Sequence, residues 1–156
     1  MGYIKQYMPL SRIVMIMAVA VLVMGSVFIY QGVTKADWMR DAMRLEQVTV
    51  GLSDEAIANG NVVDTASEAQ AAGDTIREHR RGIAETYNEL LGEGRYDPTN
   101  PEHLTYAQAL NMENYLYLGV LGFGVTDIAI AAGVFMILTG VALGATSIAL
   151  RKVTAS

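Results

Sequence analysis

The sequence predicts an all-α membrane protein with two transmembrane helices and a helical segment of 84 residues (32–115) between them. Apolar stretches lie at residues 13–30 and 116–150; the first has 18 residues without a charge, and only Asp127 interrupts the second. At about 1.5 Å per residue, 18 helical residues cover roughly 27 Å, close to the ~30 Å hydrocarbon core of a bilayer. The segment between the stretches is rich in Ala, Glu, Leu and Arg and has no alternating run of β-branched residues, which favours helix.

Five parts are expected along the chain. They are a cytoplasmic tail (1–12), the first transmembrane helix (13–31), an extracytoplasmic helical segment (32–115), an outer helix end with the second transmembrane helix (116–150), and a second cytoplasmic tail (151–156). A cleaved signal peptide is the alternative interpretation of the first stretch, but such segments have a shorter apolar core of ~7–15 residues. We therefore expect an uncleaved anchor.

The basic residues predict the orientation. The tails carry Lys5, Arg12, Arg151 and Lys152 and no acid, and basic residues next to a span stay on the cytoplasmic side. Of the 16 acidic and 11 basic residues, all but Asp127 and these four lie in segment 32–115, which therefore carries 15 acids, 7 bases and a formal charge of −8. Both termini are expected in the cytoplasm of a plasma membrane and residues 32–115 outside it. The absence of cysteine and of glycosylation sequons suits a prokaryotic membrane.

The first span is expected to continue outward as helix over residues 34–47, because Trp38, Ala42 and Leu45 share one face there and charged residues share the other. A short helix should follow, with Ser53 as its N-cap and Asn59 at its end. The only strand-like sequence is at residues 48–50.

The best-signalled helix of the middle segment is predicted at residues 66–91, where Thr65 and Glu68 match a capping box and Gly92 supplies a stop. An apolar stripe at helical spacing includes His79, so we expect that imidazole to be buried beside a tyrosine or a carboxylate. The stripe consists of Ala69, Ala72, Ile76, His79, Ile83, Tyr87 and Leu90. His103, in the first turn of the last helix, is expected to be partly exposed.

The last helix is predicted to start at Asn100-Pro101 and to meet no breaker other than glycine before Arg151. The glycines at 119, 122 and 124 mark where it would bend or unwind. The predicted architecture is thus a hairpin of two long helices whose outer ends hold a third helix in a small bundle.

A helix-packing interface is predicted at Gly25, Gly133, Gly140 and Gly144, because small residues let transmembrane helices approach closely. Packing of the second span against Gly25 of the first, self-association and docking of a different membrane protein are the three alternatives.

A polar cluster is the second candidate site. Its members are His79, Tyr106, Asn111, Asn114 and Asp127. Residues 106–117 also carry Glu113, Tyr115 and Tyr117, so an aromatic belt at the membrane surface and core-satisfying amides are the alternatives to a ligand pocket. Asp127 lies 24 residues before Arg151, or roughly 36 Å along a helix, which places it near the outer headgroups. An interfacial, solvated aspartate is therefore favoured over an ion or proton relay.

The sequence lacks the motifs of the common enzyme classes. There is no nucleophile elbow, phosphate loop, dinucleotide fingerprint or zinc-ligand pattern, and an acidic membrane chain is a poor partner for nucleic acid. We expect no catalysis, cofactor or metal. The predicted function is that of an accessory or scaffolding subunit whose partners are the bilayer and a second copy or another membrane protein. The alternatives are an extracytoplasmic ligand-binding or sensing module and a subunit of a multi-copy channel.

Overall fold

The structure, a computed structural model, describes the backbone of residues 2–155 and the side chains of residues 10–153. The chain is 81% helical, and no strand is found in the part that is described. In order, the helices are α1 (Gly2–Glu46), α2 (Asp54–Ala58), α3 (Ala66–Arg81), α4 (Tyr87–Leu91) and α5 (Pro101–Ala155). The all-α prediction is confirmed.

Two of these helices are long and apolar enough to cross a membrane. They run over Leu10–Glu46 and Pro101–Val153, within α1 and α5. Only 11% of the most apolar stretch of each is buried, whereas the core helix of a soluble protein would be mostly buried. A membrane location is compatible with both helices.

The chain divides into two compact units. The hairpin unit joins α1 up to Lys35 with α5 from Val125 onward, and the central unit is Ala36–Gly124. In the central unit, α3 and the adjoining parts of α1 and α5 surround one apolar core. Its buried members are Met43, Val48, Val63, Ala69, Ala72, Ile76, Leu116 and Phe123.

The connection between α1 and α3 folds closely over α3. Val63 donates its N–H to the Val48 carbonyl at 2.8 Å, which ties the two ends of this connection together. Gly51 has φ +81°, and a Cβ there would lie 3.0 Å from the Ala72 nitrogen. Both the backbone conformation and the close approach therefore favour glycine at position 51.

The predicted helix caps are confirmed. The Ser53 hydroxyl accepts from the Ala56 N–H at 3.3 Å, and Thr65 and Glu68 form the reciprocal capping box. Asn100 Oδ1 accepts from the Glu102 N–H at 2.9 Å at the start of α5. Each cap satisfies backbone donors that the first helical turn leaves without a partner.

The single helix predicted at residues 66–91 is wrong, because α3 ends at Arg81 and Gly82 is its C-cap. A second cap then starts α4: the Thr86 hydroxyl accepts from the Glu89 N–H at 3.2 Å, and Glu89 Oε2 accepts from the Glu85 N–H at 3.0 Å. Thr86 and Glu89 repeat the spacing of Thr65 and Glu68. This second capping signal competes with continuation of the helix and prevails after Gly82.

The apolar face expected on the outer part of α1 does not pack into the core. Trp38 and Leu45 are 68% and 83% exposed, whereas Met43 is buried. Met39 and Met43 point towards α5, where a Cβ on Gly122 would lie 2.5 Å from Met39 Sδ. Gly119 and Gly122 therefore receive methionine side chains, and α5 continues through residues 119–124 without unwinding.

Candidate functional site

Small residues recur every seven positions on both helices of the hairpin unit and are buried. On α1 they are Ser11, Ala18, Gly25 and Gly32, and on α5 they are Thr126, Gly133, Gly140 and Ser147. A seven-residue period keeps one stripe of each helix facing its partner when two helices wind around each other. We call these eight residues the small-residue seam. The sequence-based prediction included Gly25, Gly133 and Gly140 but missed the other five, which the seven-residue spacing could have revealed.

Backbone contacts between α1 and α5 show how close the helices are. A Cβ on Gly25 would lie 2.7 Å from the Gly133 carbonyl oxygen, and a Cβ on Gly133 would lie 2.7 Å from the Gly25 oxygen. In proteins, a Cβ atom essentially never comes within 3.0 Å of a heavy atom from a distant part of the chain. Further along, a Cβ on Gly140 would lie 2.7 Å from Leu22 Cγ. The structure thus places three of the four predicted interface glycines in contacts within the chain.

Gly144, the fourth predicted interface glycine, is not part of this contact. Within the described part, no heavy atom outside its own helical turn lies within 4 Å of the position that its Cβ would take. It is four positions from Gly140, and a helical turn of 3.6 residues brings it near the seam but to one side of it. The G-x-x-x-G pattern therefore does not define the packed stripe, and the seven-residue period does.

A pair of serines closes one end of the seam. Ser147 Oγ donates to the Ser11 carbonyl oxygen at 2.7 Å, and Arg151 Nε donates to Ser11 Oγ at 3.1 Å. Ser11 and Ser147 are both buried. Hydrogen bonds thus replace glycine contacts at this end, and they fix which residues of α1 and α5 face each other.

Large apolar side chains of the hairpin unit lie on its outside. Phe135 is 69% exposed and Ile16 is 68% exposed, and both belong to stretches in which most large apolar residues are exposed. Other exposed large apolar residues of these stretches are Met17, Val19, Val23, Tyr30, Ile128, Leu138 and Val141. So many exposed apolar side chains on one unit are typical of a surface that contacts lipid or another apolar helix.

The central unit contains a buried ion pair between α3 and α5. Arg80 Nε donates to Glu113 Oε2 at 2.7 Å, with both side chains only 9% exposed. Arg80 Nη1 also donates to the Tyr106 hydroxyl, and the guanidinium lies 4.9 Å from the centre of the Tyr106 ring. The bond to Glu113 raises the pKa of Arg80 above its usual value, so the buried guanidinium stays protonated.

A second polar contact joins the same helices. The Tyr117 hydroxyl donates to Asp74 Oδ1 at 2.7 Å, and Arg77 Nη2 donates to the same oxygen at 2.7 Å. The bond from Tyr117 is the main cause that lowers the pKa of Asp74, and a bond from Gln70 adds to it. A Cβ on Gly73 would lie 3.0 Å from Tyr117 Cε1, so the tyrosine ring rests on the glycine.

His79 is exposed, and the prediction that it is buried is wrong. The buried face of α3 runs through Ala69, Ala72 and Ile76 to Arg80. His79 and Arg80 lie three and four positions after Ile76, and either spacing suits an apolar stripe on a helix. The prediction chose His79 because its imidazole can be uncharged, whereas arginine is charged. Arg80 occupies the buried position because Glu113 and Tyr106 compensate its charge there. His79 instead borders a shallow, open groove of about 320 Å³ with Met112.

The structure does not bring the predicted polar cluster together. Tyr106 is buried, but Asn111 and Asn114 are exposed on α5. Asp127 belongs to the hairpin unit and is also exposed. The buried partner of Tyr106 is Arg80, which the prediction did not include, and Arg80 in turn bonds to the buried Glu113. The sequence pattern of α3 does not show that Arg80 is buried, because an arginine is normally expected on the exposed face of a helix. Its burial is evident only from its bonds to Glu113 and Tyr106 on α5.

His103 is partly exposed, as predicted. Its Nδ1 accepts from the Asp97 N–H at 3.0 Å, and its ring stacks on Tyr96 with 5.8 Å between ring centres. Two hydrogen bonds from Thr99 lower the pKa of Asp97. These contacts shape the turn before α5. Over the described residues, no group of three or more His, Asp or Glu side chains is arranged to hold a metal ion.

A cleft of about 500 Å³ lies in the central unit and is open to solvent. It is lined by Arg44, Gln47, Gly60, Asn61, Val62, Asp64 and Glu68. Arg44 Nε donates to Asp64 Oδ2 at 2.6 Å, and the Glu68 carboxylate accepts from the N–H groups of Asp64 and Thr65. Each charged side chain of this cleft therefore already has a hydrogen-bond partner within the chain.

Comparison with known proteins gave no relative. No protein-family model, curated protein or solved structure matches the chain.

Proposed function

We propose that this protein is a non-enzymatic accessory or scaffolding subunit of a membrane, acting through helix–helix association and through its helical central unit. The small-residue seam is the observation that carries this proposal. Gly25 and Gly133 close the space between α1 and α5 down to backbone contact, which leaves no path for an ion between them. The large apolar side chains face outward, where lipid or a partner helix would cover them.

The polar groups of the central unit support the same function. Arg80 donates to both Glu113 and Tyr106, and Tyr117 donates to Asp74. No buried side-chain N or O atom in the described part lacks a hydrogen-bond partner. A catalytic or ligand site usually keeps polar groups available for its substrate, whereas these groups join α3 to α5.

The proposed topology places both termini in the cytoplasm and residues 32–115 outside a plasma membrane. Its support is the charge of the sequence: the tails carry only basic residues, and the segment between the spans is strongly acidic. In this arrangement the central unit is presented on the outer side, and the exposed faces of α1 and α5 meet lipid and partner within the bilayer.

Site-specific photo-crosslinking in intact membranes tests the proposed function. A photoreactive phenylalanine analogue would replace Phe135 or Ile16 in the hairpin unit, or Glu93 in the central unit, all of which are exposed. We expect a light-dependent protein adduct of discrete mass from at least one position. An adduct of twice the chain mass identifies a second copy, and any other mass identifies a different protein. Absence of protein adducts at all three positions would contradict a scaffolding role. Ion flux in liposomes containing only this protein would favour the channel instead.

A further inference from the structure

One end of the hairpin unit collects cationic side chains from both helices. Ser11 accepts a hydrogen bond from Arg151, and its carbonyl oxygen accepts another from Ser147. Arg12 follows Ser11 on α1, and Lys152 follows Arg151 on α5. The two serines therefore bring three cationic residues from opposite ends of the sequence to the same end of the hairpin.

No acidic side chain accompanies these cations in the sequence. No Asp or Glu precedes Asp37, and none follows Asp127. The cationic end of the hairpin thus carries a net positive charge that favours an anion from outside the protein.

Exposed apolar side chains adjoin the same end. Leu10 and Ile13 flank Ser11 and Arg12 on α1, and Ile148 lies one turn before Arg151 and Lys152 on α5. All three are exposed. A ligand that contacted both the cationic and the exposed apolar side chains would need an anionic head and an apolar tail.

We propose that Arg12, Arg151 and Lys152 bind the phosphate head of an anionic phospholipid, whose acyl chains lie against Leu10, Ile13 and Ile148. The hydrogen bond from Arg151 to Ser11 Oγ orients the guanidinium before the lipid arrives, which lowers the entropy lost on binding. Guanidinium and ammonium groups are the usual partners of phosphate in proteins. This inference rests on the proposed membrane location.

Free phosphate offers the same head chemistry without the tail. The lipid is favoured because the apolar side chains adjoin the cations on both helices, and a free anion would leave them uncovered. Anionic lipids are also enriched in the cytoplasmic leaflet, the side on which the proposed topology places this end.

The test is retention of lipid by the full chain, purified in mild detergent supplemented with equal amounts of phosphatidylglycerol and phosphatidylcholine. Native mass spectrometry then gives the ratio of the two lipids bound. We expect the wild type to retain phosphatidylglycerol preferentially. Arg12→Gln with Lys152→Gln should lower this preference by roughly fivefold for each charge removed, since a Lys or Arg near an anionic surface contributes about 1 kcal/mol.

Two controls keep the result specific. Arg81→Gln with Arg95→Gln removes the same charge from exposed positions of the central unit and should leave the lipid ratio unchanged. Ser11→Ala keeps every charge but removes the acceptor that orients Arg151, and it should lower the preference without changing the net charge.

Three outcomes would overturn the inference. They are equal retention of both lipids by the wild type, an equal fall in the Arg81/Arg95 control, and displacement of phosphatidylglycerol by inorganic phosphate but not by chloride at the same ionic strength. The last would assign the cations to free phosphate. A chain that remains soluble without detergent would contradict the membrane location itself, and this would be seen at purification before any lipid is measured.

Discussion

The carbonyl oxygens of Gly25 and Gly133 each lie 2.7 Å from the point where the other residue would carry a Cβ. This reciprocal contact allows the backbones of α1 and α5 to touch, and any side chain at either position would force them apart. In a bilayer the hydrophobic effect does not drive helices together, so such close packing supplies much of the association energy. The small-residue seam is therefore expected to determine the stability of the hairpin.

Gly133→Leu should destabilise the hairpin, because the new side chain meets backbone that cannot move aside without separating the helices. We expect a cost of at least the ~1–3 kcal/mol typical of overpacking. Gly144→Leu is the matched control, since open space lies over Gly144, and it should change stability by no more than about 0.5 kcal/mol. Thermal unfolding in detergent, followed by circular dichroism, measures both. Equal tolerance of the two leucines would contradict the seam, whereas a fall in solution mass with Gly144→Leu alone would show self-association at Gly144.

Arg80→Ala should strongly destabilise the central unit because it leaves the buried Glu113 carboxylate without its partner. Breaking a buried ion pair typically costs about 3–5 kcal/mol. Arg81→Ala removes the neighbouring, exposed arginine and should cost no more than about 0.5 kcal/mol. Chemical denaturation gives both free energies of unfolding. The double variant Arg80→Met/Glu113→Leu should recover much of the stability that Arg80→Ala loses, because it removes both charges and fills the space.

The two histidines should respond differently to truncation. His79 is exposed, so His79→Ala should change the free energy of unfolding by no more than about 0.5 kcal/mol. His103 Nδ1 accepts from the Asp97 N–H, and His103→Ala should cost about 0.5–1.5 kcal/mol through that lost bond. A larger effect at His79 than at His103 would show that His79 faces the core after all.

Local chemistry explains which parts of the fold could be predicted from the sequence. Ser53, Thr65 and Asn100 cap the helices that they were expected to cap, because a cap depends only on residues within one turn. The break after Arg81 depends on a competition between helix continuation and a new cap at Thr86, and the sequence shows both signals without their relative strength.

Contacts between residues that lie far apart in the sequence were harder to predict. The burial of Arg80 is stabilised by Glu113, 33 residues away, and no pattern within α3 reveals that partner. Likewise Met43 rather than Trp38 faces the core, because the neighbouring glycines of α5 leave room for methionine. The packing glycines at 25, 133 and 140 were predictable as small residues, and their packing within the chain was one of three alternatives. That Gly25 meets Gly133 depends on the register of two helices far apart in the sequence.

Asp74 predicts a dependence of stability on acid pH. Its hydrogen bond from Tyr117 lowers its pKa in the folded chain below the ordinary value of 3.8. A group with a depressed folded pKa stabilises the fold above its unfolded pKa, and this contribution disappears as the pH falls through the folded value. Asp74→Asn should therefore reduce the loss of stability on acidification below about pH 4, relative to the wild type. Unfolding temperatures measured across this range test it, and the exposed Glu93→Gln variant is the control.

The most direct test of the proposed account is the accessibility of single cysteines in intact cells, because the natural chain has no cysteine. Lys5→Cys and Ser156→Cys probe the two ends of the sequence, and Asn59→Cys probes the exposed end of α2. A membrane-impermeant thiol reagent should label position 59 and leave positions 5 and 156 unlabelled until the cells are opened. Labelling of both terminal positions in intact cells, with position 59 protected, would contradict the proposed orientation. Recovery of all three variants from the soluble fraction would contradict the membrane location.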